Sequence, residues 1–333
     1  MTISKRTVLG GLALAAAGLA LAPFTRAIGA EPVPERITVD YAYYNPVSLL
    51  LKKKGWIEEE FAKDDTKIRW VLSLGSNKAL EFLNGSSVDF GSTAGASAVI
   101  GRSHGIPIKA IYVYSKPEWT ALVTRPESGI TKIEDLKGKR VAVTRGTDPH
   151  IFLLRALDQV GLSEDDITPV LLQHPDGYRA LERGQVDAWA GLDPHMAKAE
   201  LESGAILFFR NPDLNSYGVL NVREDFAAEH PGVIRRVLKV YEKARRYALN
   251  HPDELRGVLV EAVHLSPEVA ARQLGERTDL SNPVLGPNHR DTLLAAGLIL
   301  QKIGVIEAGV SVEQVVNELI DTRLLAEAAT FIN

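Results

Sequence analysis

The sequence predicts a two-lobed α/β protein with an all-helical ending, and three observations predict it. From Ile37 onward, β-rich apolar runs alternate with polar or glycine-containing loops and helix-period segments. The pattern breaks at Arg125-Pro126-Glu127-Ser128-Gly129 and restarts at Lys139, and strand-like runs cease beyond Asp225. Such alternation marks a parallel sheet covered by helices, and a chain of 333 residues is long enough for two cores.

The first unit is a strand at Ile37–Ala42, the turn Tyr43-Tyr44-Asn45, and a helix opening at Pro46 and stopping at Gly55. Proline suits a first helical turn because it lacks an N–H that would go unpaired there. A second strand, Ile68–Leu72, leads through Ser73–Asn77 into a helix whose Ala79, Leu80, Phe82 and Leu83 share one face, ended by Asn84-Gly85. Val88–Gly91 is a short strand opening into Ser92–Ser97, with a helix to about Ser103; Ile108–Tyr114 and Thr120–Thr124 complete this lobe.

The second lobe begins with the strand Lys139–Thr144, the loop Arg145–Pro149 and a helix at His150–Gln159. It continues with a strand at Thr168–Leu172, a helix at Tyr178–Arg183, a strand at Val186–Ala190, a helix capped by Asp193 with Pro194 at its first position, and a strand at Ala205–Phe209. The tail carries helical segments at Val233–Ala248, Pro252–Ala262, Pro267–Leu274, Asn288–Ile303 and Val312–Ile320. Such a tail has no sheet of its own to cover, so it is expected to return to the first lobe. Residues 31–124 and 222–333 then form the first lobe and 125–221 an inserted second one. The crossing segments fall near 124–129 and 213–221, the geometry of a hinged clamshell.

Residues 1–30 read as a secretory signal peptide. Lys5-Arg6 precede an apolar run from Val8 to Ala22, and Ala27-Ile28-Gly29-Ala30 offer small residues for cleavage after Ala30. That run is shorter than the roughly 20 residues a membrane-spanning helix needs. The formal charge is −4, and losing Lys5, Arg6 and Arg26 leaves the remainder three charges more acidic, which argues against a nucleic-acid partner.

The chain has no cysteine, so disulfides, thiolate nucleophiles and cysteine-held metals are excluded. No G-x-S-x-G, H-E-x-x-H, Walker or G-x-G-x-x-G motif occurs, and the eight histidines show no metal-ligand spacing. No catalytic residue, cofactor or metal site is therefore expected. What the chain offers is a set of hydroxyl- and glycine-rich junctions: Tyr43–Asn45, Gly75–Asn77, Ser92–Ser97, Thr144–Asp148 and Ala190–Asp193. Such junctions sit at the carboxyl edges of strands, where open α/β sheets bind ligands. Helix starts converging there present unpaired N–H groups and positive dipole ends to an oxyanion. Each hydroxyl taken alone reads equally as a helix cap.

Four stretches carry a resemblance to a known family: K-G-W-I-E-E-E-F at Lys54–Phe61, A-L-E-F-L-N-G-S-S-V-D-F-G-S-T at Ala79–Thr93, E-D-L-K-G-K-R-V-A-V-T-R-G-T-D-P-H at Glu134–His150, and G-Q-V-D-A-W-A-G-L-D-P-H at Gly184–His195. Over about Ile37–Phe226 the chain resembles the periplasmic substrate-binding proteins of the aliphatic sulfonate, taurine and nitrate ABC importers. The resemblance implies the type II periplasmic binding protein fold, a monomeric receptor for a small organic oxyanion, an inner-membrane ABC permease as partner, and no catalysis. By position it implies that Ser76, Ser92 and Thr93 meet the anionic head group from the first lobe and Gly146 and Thr147 from the second.

Tyr43, Asn45, Trp119, Trp189 and Asn215 would line the rest of the site. Trp189 reads equally as a core aromatic, because alternation alone does not say which face it takes. Ala96 and Ser97 stand where many relatives place an acid, which favours a plain alkyl or aryl sulfonate over an ammonium-bearing ligand; Glu118, Asp148 and Asp193 are the acids that remain to substitute. Arg145 is placed to pair with the anion or to be solvated at its loop. Pyrimidine-precursor synthases of the same architecture use a cysteine-rich iron motif, which this chain lacks.

Overall fold

A computed structural model describes residues 33–329. The expected signal peptide lies outside the described residues. The chain opens with β1 (Arg36–Tyr41), α1 (Pro46–Lys54), α2 (Trp56–Phe61), β2 (Lys67–Leu72), α3 (Ser76–Asn84), β3 (Phe90–Ala94), α4 (Gly95–Ser103) and β4 (Ile108–Pro117). Next come β5 (Thr120–Thr124), β6 (Arg140–Val143), α5 (Asp148–Gln159), β7 (Thr168–Leu171), α6 (His174–Glu182), β8 (Ala188–Leu192), α7 (His195–Glu202) and β9 (Ile206–Phe209). The last part holds β10 (Gly218–Arg223), α8 (Glu224–Glu229), α9 (Pro231–Asn250), α10 (Pro252–Val263), α11 (Pro267–Ala271), β11 (Thr278–Asp279), α12 (Pro287–Lys302), α13 (Val312–Leu319) and α14 (Arg323–Ala329).

Two mixed sheets result, ordered β11-β4-β10-β3-β1-β2 and β7-β6-β8-β5-β9. Thr120–Thr124, expected in the first lobe, instead pairs antiparallel with β8 and β9 in the second sheet. The outgoing crossing therefore lies between Pro117 and Thr120 rather than at 124–129, and the return lies between Phe209 and Gly218. All five β5 residues are buried, so the run reads as a central strand without naming its sheet. Non-local pairing makes that choice.

The local reasoning holds at α1. Asn45 caps it through Oδ1, which accepts the Ser48 N–H, and Gly55 closes it at φ 65°. At α7 the cap position is Pro194 rather than Asp193, yet Asp193 Oδ1 still accepts a first-turn N–H, that of Ala197, at 2.8 Å. Ser92 and Thr93 belong to β3 rather than to a loop, because the strand continues to Ala94.

Helices cover both faces of each sheet. In the first, α1, α9 and α10 pack with Ile37, Val39, Phe90 and Leu220, while α4, α12 and α13 pack with Ile108, Ala110 and Val219 on the other face. In the 20-residue α9, Val233, Val237, Tyr241, Ala244 and Ala248 repeat at helical spacing and are buried. The tail thus returns to the first sheet, since each large apolar side chain such as Val233 or Val237 gains roughly 1.5–3 kcal/mol by leaving water. In the second sheet, Val141, Val143 and Ala188 face Phe152 and Leu157 of α5, and Trp189 and Ala142 face Leu181 and Met196.

Gly218, at the start of β10, lies under the buried Tyr114 ring: a Cβ there would stand 2.2 Å from Cε2. The ring has no free space to retreat into, so Gly218→Ala should destabilise the fold by about 2–3 kcal/mol, read as a lower urea midpoint at unchanged m-value.

Candidate functional site

The two sheets present their carboxyl ends to each other, and a small cavity of about 10 Å³ lies between them. Tyr44 and Ser76 border it from the first lobe, Trp119 from the outgoing crossing, and Thr147, Asp148, Pro149, His174 and Leu192 from the second lobe. Helices α3, α5 and α6 begin here, with Gly75, Thr147 and Gln173 at their cap positions and no side-chain cap on any of them. Their first-turn N–H groups and dipoles supply positive potential. No lysine or arginine borders the cavity among the described residues.

The structure brings Ser76, Trp119 and Thr147 of the sequence-derived candidates to the cavity. Ser76 Oγ accepts the Ala94 N–H at 2.9 Å, and Thr147 Oγ1 donates to the Thr144 carbonyl at 2.6 Å. Trp119 Nε1 donates to Asp148 Oδ2 at 2.8 Å, and its ring meets Tyr44 edge-on.

The remaining candidates are engaged elsewhere. Ser92 donates from its amide and hydroxyl to Asp40, at 2.8 and 2.7 Å, and accepts from Asn45 Nδ2 at 2.8 Å. This polar knot is wholly buried beneath the cavity, and burial pushes the Asp40 carboxyl up to about 6. Thr93 Oγ1 accepts from Asn221 Nδ2 at 2.8 Å, equally inside the lobe. Tyr43 packs on the first core with its carbonyl taking a bond from Gln273, while its neighbour Tyr44 turns to the cavity. Trp189 is fully buried on the α6 side of the second sheet.

Arg145 is half exposed and paired with Glu164 at 2.8 Å. Gly146 (φ 78°) lies at the lobe boundary, where a Cβ would come within 3.8 Å of the Asn77 Cβ. Asn215 accepts the Thr120 N–H at 3.0 Å, joining the two crossing segments.

Asp148 links all these parts. Its carboxylate, buried at the first position of α5, accepts from Trp119 on the outgoing crossing and from the Ser216 amide (2.9 Å) and hydroxyl (2.7 Å) on the returning one. Burial raises its pKa above the usual carboxylate value. The carboxylate also takes up part of the positive potential of the α5 start.

Asp193 has a different role. It pairs at 3.3 Å with Arg277, which precedes β11 in the first lobe and also reaches Glu200 of α7 at 2.5 Å. Asp193 and Arg277 are both almost wholly buried, forming a charged latch between the lobes. Burial pushes the Asp193 carboxyl up against the pull of the Arg277 charge. A second, exposed tie joins Lys302 of α12 to Asp158 of α5 at 2.7 Å, and such pairs contribute little.

Sequence reasoning missed Tyr44, His174 and Ser216. The first and last stand one residue from candidates, Tyr43 and Asn215, so only the parity of the side chain was wrong. His174 carried the visible signal, a His-Pro pair directly after a strand. Burial lowers its pKa to about 3. Among the described residues no cluster of three metal-ligating side chains occurs.

Two outcomes follow. Arg277→Gln leaves Asp193 buried without its counter-charge and should cost about 3 kcal/mol in urea unfolding, with a larger radius of gyration in X-ray scattering as the lobes part. For His174, the ring is neutral in both states above about pH 6.5. Below that the unfolded chain takes up a proton that the folded ring refuses until about pH 3, so stability is lost on acidification. Between about pH 7.5 and about pH 5 this amounts to on the order of 2 kcal/mol, and the pH dependence of His174→Gln should be shallower by that amount.

Comparison with known proteins places this geometry in a family. The NMT1/THI5 like family matches residues 50–255. The aliphatic sulfonates-binding protein of Escherichia coli (strain K12) is 31% identical over 266 residues, 79% of this chain and 82% of that one. The taurine-binding periplasmic protein of the same organism is 28% identical over 211 residues, 60% and 64% of the two chains. In structure, the alkanesulfonate-binding protein SsuA from Xanthomonas axonopodis pv. citri superposes with a TM-score of 0.78 at 24% identity, covering 87% of this chain and 99% of that one. The desulfurization enzyme DSZB shares the fold at a TM-score of 0.66 and 15% identity, covering 90% and 100%. The two lobes and their crossings are those of the type II periplasmic binding protein fold, and the chain belongs to the NMT1/THI5 like family, as a homologue of the aliphatic sulfonate- and taurine-binding proteins.

Proposed function

We propose that the protein is the receptor of an ABC importer, exported to the periplasm, and that it captures an alkyl or aryl sulfonate by closing its two lobes around it before handing it to a membrane permease. The observation that carries this reading is the convergence of the starts of α3, α5 and α6, none with a side-chain cap, around a small interlobe cavity. Uncapped helix starts favour an oxyanion whose charge is spread over several oxygens, because each N–H takes one bond and no lysine or arginine is needed. The apolar faces of Tyr44, Trp119, Pro149 and Leu192 suit a short hydrocarbon tail. Two relatives at 30% identity or more, from Escherichia coli (strain K12) and Bacillus subtilis (strain 168), carry the name of aliphatic sulfonates-binding proteins, which supports this reading.

In this reading the ligand leaves unchanged. Asp148 is saturated by three donors and His174 stays neutral down to about pH 3, so neither is poised to exchange a proton near neutrality.

Isothermal titration of the protein lacking residues 1–30 against ethanesulfonate, benzenesulfonate, nitrate and sulfate tests the reading. Saturable one-to-one binding of at least one sulfonate, at micromolar or lower Kd and tighter than either inorganic anion, is expected. Tighter binding of nitrate or sulfate would reassign the receptor.

A further inference from the structure

We propose that His174 is a specificity-determining residue of the interlobe site, presenting Nε2 as a fixed hydrogen-bond acceptor and so selecting sulfonates that carry a hydroxyl donor on their carbon chain. The inference rests on the sulfonate reading above and narrows its ligand class.

The protonation of the ring follows from its neighbours. Thr144 Oγ1 has one hydrogen, and it goes to the Leu172 carbonyl at 2.7 Å, which accepts only. The 3.2 Å contact between Thr144 Oγ1 and His174 Nδ1 therefore requires Nδ1 to carry the hydrogen and donate it. With burial keeping the ring neutral, Nε2 is left with a bare lone pair. The side chain is about 1% exposed and borders the cavity, yet Nε2 has no partner. An unpaired buried acceptor costs roughly 1–3 kcal/mol, which a ligand donor recovers on binding.

A second acceptor faces the same place from the other lobe. Asn77 Oδ1 is also buried and unpartnered. It lies 2.8 Å, and His174 Nε2 3.1 Å, from the point where a Cβ on Gly75 would stand. The Asn77 amide can rotate to offer either end, whereas Thr144 pins the histidine. The bare Nε2 disfavours a sulfonate oxygen there, so the anionic head goes to the helix starts and the hydroxyl to His174. A hydroxyl that donates its one hydrogen to His174 and accepts from the rotated Asn77 amide also ties the two lobes together.

The test compares ethanesulfonate with 2-hydroxyethanesulfonate by titration calorimetry on the wild type and on His174→Phe, which keeps a planar ring and removes the acceptor. The wild type should bind the hydroxylated ligand about tenfold more tightly. In the variant the two affinities should converge to within about twofold. Equal affinities in the wild type, or a preference that survives in the variant, overturn the assignment to His174 while leaving the sulfonate receptor intact. Binding of neither ligand overturns the sulfonate reading and this assignment with it.

Should the variant not fold, ¹⁵N NMR of the histidine rings in the wild type decides. Nδ1 should be protonated and Nε2 bare, with Nε2 shifting on addition of 2-hydroxyethanesulfonate and not of ethanesulfonate. A proton resident on Nε2 overturns the proposal.

Discussion

The Asp148 carboxylate is the interaction on which the arrangement of the two lobes depends. The chain passes between the lobes twice, at Pro117–Thr120 and at 210–217, and neither passage has a sheet of its own to hold it. Asp148 receives Trp119 from the first passage and Ser216, twice, from the second. Asn215 adds a bond from the second passage to the first. A buried carboxylate is expensive unless its oxygens are satisfied, and here satisfaction requires both passages in place. The cost of burial is thereby converted into geometric specificity.

That clasp also sets the chemistry of the cavity. A carboxylate at the first turn of α5 consumes part of the helix-start potential, and the buried guanidinium of Arg277 is held in the latch with Asp193 and Glu200. The site is left with backbone N–H groups, a tryptophan already committed, and a histidine whose free nitrogen accepts. Anion binding by dipoles rather than by full charges is compatible with release, because the desolvation cost of a buried ion pair need not be met at each cycle. The latch lies beside the crossings, where the Arg277 backbone carbonyl accepts the Glu118 N–H.

Much of the fold was legible from local signals. The strand–loop–helix alternation, Pro46 with Gly55 around α1, and the apolar period of α9 each rest on a physical rule acting within a few residues. The strand Thr120–Thr124 was not assignable in the same way. Its residues are buried throughout, and it joins the second sheet only because β8 and β9 are there to pair with it. In the site, Ser76, Trp119 and Thr147 were legible from their junctions, whereas Ser92 and Thr93 were drawn inward by Asp40 and Asn221, residues distant in sequence. Tyr44 and Ser216 were missed by one position, and a strand or loop turns its side chains to opposite sides at each step.

The sequence by itself determined that the chain alternates strands and helices in two groups, that several of its strand–helix junctions are rich in small and hydroxyl residues, and that it carries no thiol chemistry. These are matters of composition and short-range spacing, and they survive any rearrangement in space. Only the tertiary structure decided which hydroxyls face the cavity and which stay in the core, where the chain crosses between lobes, and that Asp148, Trp119 and Ser216 meet. The physical reason is that a buried polar group takes whatever partner the packing brings to it, and that partner stands 18 to 128 residues away for Ser76, Ser92, Thr93 and Asp148.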